Sequence, residues 1–321
     1  MSTPPPQLTP SEGVFADMKA LLQSVAEVGK DHGMVKVIPP KSWVDRVEAS
    51  ASQDPLLRIL GLQVAGQEED GAYTLVCEER GGVYLSDFRK MVDEKDGGSP
   101  PYNSPEENQI DFWGTLGEQE GGVLTSHSPN GSLFGKDVKE WNLAKAEGVV
   151  RRHPSAARTW QVSSQGLYGL SVGMLHTARG WSPLDDVEGV FGVSYIHFGA
   201  ARTVYAIPQD HQSDFEALLG RMFSVDPKGV GEMCRQKGLL LDPAVITKAQ
   251  IPFSKVVQQP GELVMTLPGT YTCSICHGLV CWENVSVAPN SAASARPASW
   301  WPSSSSPDVP AESPTDADGG S

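Results

Sequence analysis

The chain has 321 residues and a formal net charge of −14, and 39% of its residues are hydrophobic. That length allows one large domain or two small ones, and no apolar run is long enough to span a bilayer. The acidic balance argues against direct DNA binding, which needs clustered lysine and arginine, and is compatible with a basic protein partner. We expect no secretory signal, since the N-terminus lacks a basic and an apolar segment. Five scattered cysteines do not form a disulfide framework, so we expect a reducing compartment.

Two capping boxes predict helices in the N-terminal half. Thr9-Pro-Ser-Glu12 precedes apolar residues at helical spacing, and Gly33 stands where that helix would end. Two prolines stop the short strand predicted from Met34. Residues 46–70 are polar and poorly patterned, which predicts a loop or linker. Ser104-Pro-Glu-Glu107 opens a second helix, whose apolar residues are Ile110, Trp113 and Leu116.

Four apolar runs in the C-terminal half predict strands. They are Gly169–Leu175, Gly189–Phe198, Thr203–Pro208 and Glu262–Pro268. Short β-rich runs with glycine and proline between them favour a mainly β closed barrel with flanking helices over a doubly wound sheet. Residues 290–321 are rich in Ser, Pro, Ala and Asp without apolar periodicity, so we expect this tail to be disordered.

Three segments carry a family resemblance. Tyr195-Ile-His-Phe-Gly199, Arg202-Thr-Val-Tyr-Ala-Ile-Pro208 and Val257-Gln-Gln-Pro-Gly-Glu262 resemble the JmjC domain of the Jumonji histone lysine demethylases. The resemblance implies a double-stranded β-helix of the jelly-roll or cupin type at 166–289 and a JmjN helix–strand segment at 9–45. It implies a mixed α/β joining region at 46–165. Within the family, that region is most similar to the group acting on lysine-9 and lysine-36 of histone tails.

The resemblance also implies a chemistry that depends on iron(II) and 2-oxoglutarate. Such sites hold the metal with two histidines and one carboxylate on one face. In the family, the first two ligands form a His-x-Asp or His-x-Glu pair just before the strand that contains Tyr195, and the third is a histidine near the end of the barrel. None of the seven histidines in this chain is followed two residues later by Asp or Glu.

The ligand positions can be counted in two ways. Counting back from the strand segment puts Leu184 at the first histidine and Asp186 at the carboxylate. Counting forward from Trp181 puts Ser182 and Leu184 there instead. Both counts leave Thr272 at the third position. Neither count gives a histidine, so Asp186 is the only family-equivalent ligand that remains.

The family's cosubstrate residues have also changed. The lysine that pairs with 2-oxoglutarate matches Arg202, the tyrosine matches Phe134, and the asparagine matches Ser194. Arginine can still bind a carboxylate, although its planar fork differs from a point charge. Phenylalanine has no hydroxyl to donate.

Other histidines and cysteines leave alternatives open. His176 or His277 could rebuild an iron site beside Asp186. Cys273-Ser-Ile-Cys-His277 has the spacing of a haem attachment motif, and with Cys281 it could form a zinc site. Buried free thiols are the simpler interpretation.

We therefore expect a nuclear, chromatin-associated protein that resembles a histone demethylase but is catalytically inactive, as in a non-catalytic member of the family. Its expected partners are a histone tail or chromatin-complex proteins, with no direct DNA binding, no membrane and no cofactor. The alternative is an active demethylase with a rearranged site that uses iron(II) and 2-oxoglutarate. The abrupt change of composition after Val287 also leaves open a decayed gene copy.

Overall fold

A computed structural model describes residues 2–51, 53–69, 71–96, 104–116, 123–128, 131–145, 150–152, 168–183, 190–236 and 238–289. The helices are α1 Glu12–Ala16, α2 Met18–Gly29, α3 Lys41–Ser50, α4 Leu85–Asp96, α5 Pro105–Thr115, α6 Gln212–Met222, α7 Pro227–Gln236 and α8 Pro243–Lys248. The first strands are β1 Ser2–Thr3, β2 Gln7–Leu8, β3 Met34–Val37, β4 Leu56–Glu69, β5 Ala72–Tyr84, β6 Val123–Ser128, β7 Val150–Arg152 and β8 Tyr168–Gly173. The others are β9 Ala178–Pro183, β10 Phe191–Gly199, β11 Arg202–Ile207, β12 Gly238–Leu241, β13 Phe253–Gln258, β14 Leu263–Thr266, β15 Tyr271–Cys276 and β16 Val280–Pro289.

Within the described residues, the strands form two sheets. The smaller sheet has the order β1-β13-β11-β15-β9. The larger has the order β12-β5-β4-β6-β8-β16-β10-β14-β3-β2, with β7 paired to β16. Strands from the beginning and end of the chain thus lie side by side, an arrangement typical of a closed β architecture rather than a doubly wound one.

The two sheets pack face to face and enclose the barrel interior. Strand β11 is buried along its whole length, because its two faces meet different partners. On one face, Tyr205 and Ile207 pack in a cluster with residues of α6. On the other face, Val204 and Ala206 contact Val264 of the larger sheet. The mainly β fold predicted from the sequence is confirmed.

The four predicted strands are present as β8, β10, β11 and β14, each within a few residues of the predicted bounds. The second capping box is also confirmed, since the Ser104 hydroxyl accepts a hydrogen bond from the Glu107 N–H at 3.2 Å.

Three local predictions were wrong. The first helix is two helices, because Asp17 breaks the chain and caps α2 by accepting from Ala20 N. Residues 46–70 are not a loop, since they complete α3 and form β4. Ile110 is 76% exposed, because the buried side of α5 consists of Phe112 and the amide side chains of Asn108 and Gln109.

The N-terminal segment adds strand β3 to the larger sheet by antiparallel pairing with β14. The Lys36 ammonium lies 2.7 Å from a Glu262 carboxylate oxygen, and both side chains are largely buried. Trp43 donates its indole N–H to the carbonyl of Glu140 at 2.7 Å. That this segment is a JmjN motif stays a prediction. None of the helices in the described part of the chain combines the length and hydrophobicity that crossing a bilayer requires.

Candidate functional site

Two positions that the family resemblance assigns to metal ligands, in the count from Trp181, lie next to each other on adjacent strands. Thr272 of β15 is the cross-strand partner of Ser182 of β9. Directly opposite residues of an antiparallel pair have Cβ atoms about 5 Å apart, a spacing at which two imidazoles can share one metal. Leu184 and Asp186 lie outside the described residues. The pairing supports the count that places Ser182 at the first ligand position, and the count that uses Leu184 and Asp186 stays a prediction.

The donor set at this place does not fit iron(II). Ser182 and Thr272 offer neutral hydroxyl groups, whereas the iron sites of this class use two imidazoles and a carboxylate. Among the described residues, no three His, Cys, Asp or Glu side chains are grouped so that they could hold a metal ion.

His277, which directly follows β15 and could have rebuilt the site, is already engaged in hydrogen bonds. The two ring nitrogens of His277 lie 2.6 Å from Asn108 Oδ1 and 2.7 Å from Thr203 Oγ1. Because the Asn108 oxygen can only accept, His277 Nδ1 carries the proton and Nε2 accepts from the Thr203 hydroxyl. Burial lowers the pKa of His277 to about 4.

His176 also lies in a structural contact. Its Nε2 is 3.4 Å from Asp111 Oδ2, and its ring packs edge-on against Phe112 at 5.7 Å between ring centroids. Burial lowers the pKa of His176, although the nearby Asp111 carboxylate opposes the shift. Both histidines therefore contribute to the attachment of α5 to the barrel.

Two of the three cosubstrate positions come together. Arg202 Nη2 donates to Ser194 Oγ at 2.6 Å and to Gln258 Oε1 at 2.8 Å. The Gln258 amide in turn donates to the backbone carbonyls of Ser194 and Glu262. Arg202 is only 4% exposed, and burial lowers its pKa to about 9, which leaves the guanidinium charged at neutral pH.

The third cosubstrate position lies elsewhere. Phe134 packs against Tyr195 and His197, with ring centroids 5.5 Å and 4.8 Å away. Successive residues of a strand point to opposite faces, so Tyr195 lies on the face of β10 opposite Ser194. Phe134 thus belongs to the core beneath the N-terminal segment, and not to the cluster around Arg202.

The sequence did not identify a second arginine in the interior. The guanidinium of Arg179 on β9 lies over the indole of Trp282 at 5.1 Å, and that of Arg202 lies over the same ring at 4.9 Å. Arg179 Nη2 also donates to Ser171 Oγ at 2.7 Å. The period-2 pattern does not reveal this residue, because the register of β9 against β15 shifts between Thr272 and Ser274.

The three cysteines of the predicted zinc or haem motif do not converge. Cys273, Cys276 and Cys281 belong to three different core clusters. Burial raises the pKa of Cys276 to about 12, although the charges of Arg202 and Arg179 oppose the shift. All three behave as buried thiols.

Comparisons with known proteins agree with this architecture. The family model described as JmjC domain, hydroxylase, matches residues 169–287. The chain is 26% identical to human "Probable lysine-specific demethylase 4F", over 87% of this chain and 43% of that protein. It is 26% identical to rat "Lysine-specific demethylase 4D", over 87% of this chain and 54% of that protein. It is 27% identical to rice (Oryza sativa subsp. japonica) "Lysine-specific demethylase JMJ706", over 88% of this chain and 35% of that protein.

The chain thus spans roughly a third to a half of the length of these relatives. The matched residues 169–287 include the strands that carry Arg179, Ser194, Arg202 and Thr272. The fold, the family model and the relatives agree: residues 169–287 match the JmjC domain model, and the chain is similar to lysine-specific demethylases.

Proposed function

We propose that this chain is a catalytically inactive JmjC protein that binds a histone tail or a chromatin-complex protein in the nucleus. The observation that carries the proposal is the pairing of Ser182 with Thr272. Two adjacent positions suited to imidazole ligands hold hydroxyls instead, and a hydroxyl cannot replace imidazole as a strong donor to iron. The engagement of both ring nitrogens of His277 also supports it.

A JmjC protein that binds no metal can still use its fold to bind a partner. The chain is strongly acidic, with a net charge of −14, and histone tails are basic. Complementary charge speeds encounter and favours the correct partner even where it adds little affinity. The proposed protein therefore holds its partner without modifying it.

The test has two measurements on the purified full chain. The first is a demethylation assay by mass spectrometry on histone H3 peptides trimethylated at lysine-9 or lysine-36, with iron(II), 2-oxoglutarate and ascorbate supplied. The second is fluorescence anisotropy with the same peptides at near-physiological salt. The proposal predicts no change of peptide mass together with binding that weakens as salt rises.

A scrambled peptide of the same charge is the control. Demethylation by the wild-type chain would contradict the proposed inactivity. Equal binding of the native and scrambled sequences would reduce the interaction to charge alone and contradict specific recognition of a tail.

A further inference from the structure

A cleft lies between helices α5 and α8 on the smaller sheet. Its volume is about 440 Å³, within the range of about 300–1,000 Å³ that is typical of sites enclosing a ligand. Tyr205 of β11 and Phe253 of β13 line its floor. Because Tyr205 points away from the larger sheet, the cleft is separate from the interior positions around Arg202.

Three aromatic rings line this cleft in a row. The Tyr205 ring lies 6.4 Å from Trp113 on one side and 6.4 Å from Phe253 on the other, between ring centroids. The Tyr205 hydroxyl donates to Gln109 Oε1 at 2.7 Å and accepts from Trp113 Nε1 at 3.4 Å. Since these polar atoms pair with one another, the surface that the row presents to the cleft is mainly apolar.

An exposed side chain extends this apolar surface. Ile110 of α5 also lines the cleft and is 76% exposed, more than any other large hydrophobic side chain among the described residues. A single exposed hydrophobic residue is common on a protein surface. Ile110, however, adjoins the ring row, so an apolar group placed in the cleft contacts both.

Two charges of opposite sign complete the cleft. Glu106 of α5 is exposed and Lys255 of β13 is half-buried. Neither side chain forms a hydrogen bond or an ion pair within the described part of the chain. A matching occupant therefore has aromatic or aliphatic groups between one basic and one acidic residue.

The C-terminal segment of this chain has that composition. Trp300 and Trp301 are adjacent, and the nearest charged residues on either side of them are Arg296 and Asp308. Tryptophan side chains bury large apolar areas and pack favourably against other rings. Residues 290–321 lie outside the described residues, so their disorder stays a prediction.

The tryptophan pair is within reach of the cleft. From Val287 of β16, three adjacent strand pairings lead through β10 and β14 to Met34 of β3, a distance of about 15 Å. His32 Nδ1 lies 3.2 Å from Ser254 Oγ of β13, and Ser254 is the neighbour of Phe253 in the cleft. The roughly 13 residues from Val287 to the first tryptophan span up to about 43 Å when extended.

We propose that the tryptophan pair of the C-terminal segment docks in the cleft between α5 and α8 of the same chain. The indoles pack on the ring row and on Ile110. Arg296 lies toward Glu106, and Asp308 lies toward Lys255. This contact goes beyond the proposed function and does not depend on it, since neither iron nor a histone tail takes part.

The experiment uses the full chain with Trp300→Ser/Trp301→Ser, here called the tail variant, which leaves the cleft free. A fluorescein-labelled synthetic peptide of residues 292–310 is titrated by fluorescence anisotropy at near-physiological salt. We expect the peptide to bind the tail variant. Wild type should bind it about tenfold more weakly, because its own tail competes at an effective concentration on the order of mM.

Substitutions in the cleft, made in the tail variant, locate the binding site. Ile110→Ser and Lys255→Met should each weaken peptide binding by about fivefold or more. Val14→Ser is the matched control for Ile110→Ser, because Val14 is also an exposed helical residue, at 44%. Circular dichroism verifies that each variant is folded.

A charge exchange tests the proposed orientation. Lys255→Glu should weaken binding of the native peptide, and a peptide with Asp308→Lys should recover part of the loss. The same peptide should bind the protein with native Lys255 more weakly than the native peptide does. This comparison uses only folded protein that binds one of the two peptides.

Three results would overturn the proposal. The first is no binding of the peptide to the tail variant. The second is an equal effect of Ile110→Ser and Val14→Ser. The third is equal binding by wild type and the tail variant, or a wild-type dimer in sedimentation that the tail variant does not form, since the tail would then not occupy the cleft of its own chain.

Discussion

Thr272 lies directly opposite Ser182 in the antiparallel pair of β9 and β15. The family resemblance assigns imidazole ligands of one metal to these two positions, whereas here the strands bring two hydroxyls together. The backbone geometry for a metal site is therefore retained while the ligands are missing. The proposed inactivity can therefore be tested by restoring the ligand side chains.

Two ways of counting place the ligand positions at different residues, and restoring the ligands should restore iron(II) binding for only one of them. We expect Ser182→His/Leu184→Asp/Thr272→His to bind iron(II), because two imidazoles about 5 Å apart at Cβ and a nearby carboxylate recreate the facial set. The matched comparison is Leu184→His/Thr272→His, which uses the native Asp186. Calorimetry with iron(II) under anaerobic conditions measures both, and tighter binding by the second variant would contradict the geometric assignment.

Acidification should destabilise the fold through one buried histidine, His277, and one partly buried histidine, His127. Burial lowers the pKa of both His127 and His277 to about 4, against about 6.5 in an unfolded chain. Between these values the unfolded state binds more protons, so the free energy of unfolding falls as pH is lowered from 6.5 to 4. Each histidine contributes a slope of up to about 1.4 kcal/mol per pH unit.

Urea denaturation at several pH values measures this slope. His277→Gln should reduce the slope by up to about 1.4 kcal/mol per pH unit, which corresponds to one proton. The double variant with His127→Gln should reduce the slope further. A slope that is the same in wild type and both variants would show that other groups cause the acid sensitivity.

The ion pair between the N-terminal segment and the barrel should contribute to stability. The Lys36 and Glu262 side chains are 14% and 16% exposed, and Glu262 also accepts from Gln259 N at 2.7 Å. Lys36→Met leaves a largely buried carboxylate without its cation, so we expect a loss of about 1–3 kcal/mol in the free energy of unfolding. Lys41→Met removes the exposed pair with Asp45 and should leave the urea midpoint unchanged. Equal effects of the two variants would contradict a specific role for Lys36.

Glu283 should be among the most sensitive positions of the core. Its carboxylate is fully buried, accepts from Ser132 Oγ at 3.0 Å and from Leu133 N, and lies 3.0 Å from His197 Nε2. Glu283→Ala leaves these polar groups unpaired in the interior, which should cost about 3–5 kcal/mol.

Glu79→Ala is the control for Glu283→Ala. Its exposed pair with Arg58 spans 3.9 Å and contributes about 0.5 kcal/mol or less. Thermal and urea unfolding of both variants compare the two positions. A Glu283→Ala protein as stable as wild type would mean that water replaces the carboxylate at no cost.

Part of this structure followed from the sequence. The segments around Tyr195 and Tyr205 predicted buried strands because their alternation and β-forming residues agree with the fold. Ser194 and Arg202 were predicted to share a site, and they do contact each other. All three positions were grouped by the family resemblance, and the ring of Phe134 lies in another cluster.

The remainder depended on tertiary contacts that a local pattern does not contain. Arg179 faces the interior because of a register shift between β9 and β15, which no periodicity indicates. Ile110 is exposed because its neighbour Gln109 is the residue of α5 that points inward. The Gln109 side chain accepts a hydrogen bond from the Tyr205 hydroxyl at 2.7 Å. Such polar partners are recognised only once both elements are in place.

The most direct test of the central claim is an anaerobic calorimetric titration of the metal-free wild-type chain with iron(II), first alone and then with 2-oxoglutarate present. The chain with Ser182→His/Leu184→Asp/Thr272→His is titrated in parallel. The lost-metal account predicts no binding of iron(II) by wild type at micromolar concentrations and binding by the variant. Tight iron(II) binding by the wild-type chain at a stoichiometry of one would contradict it.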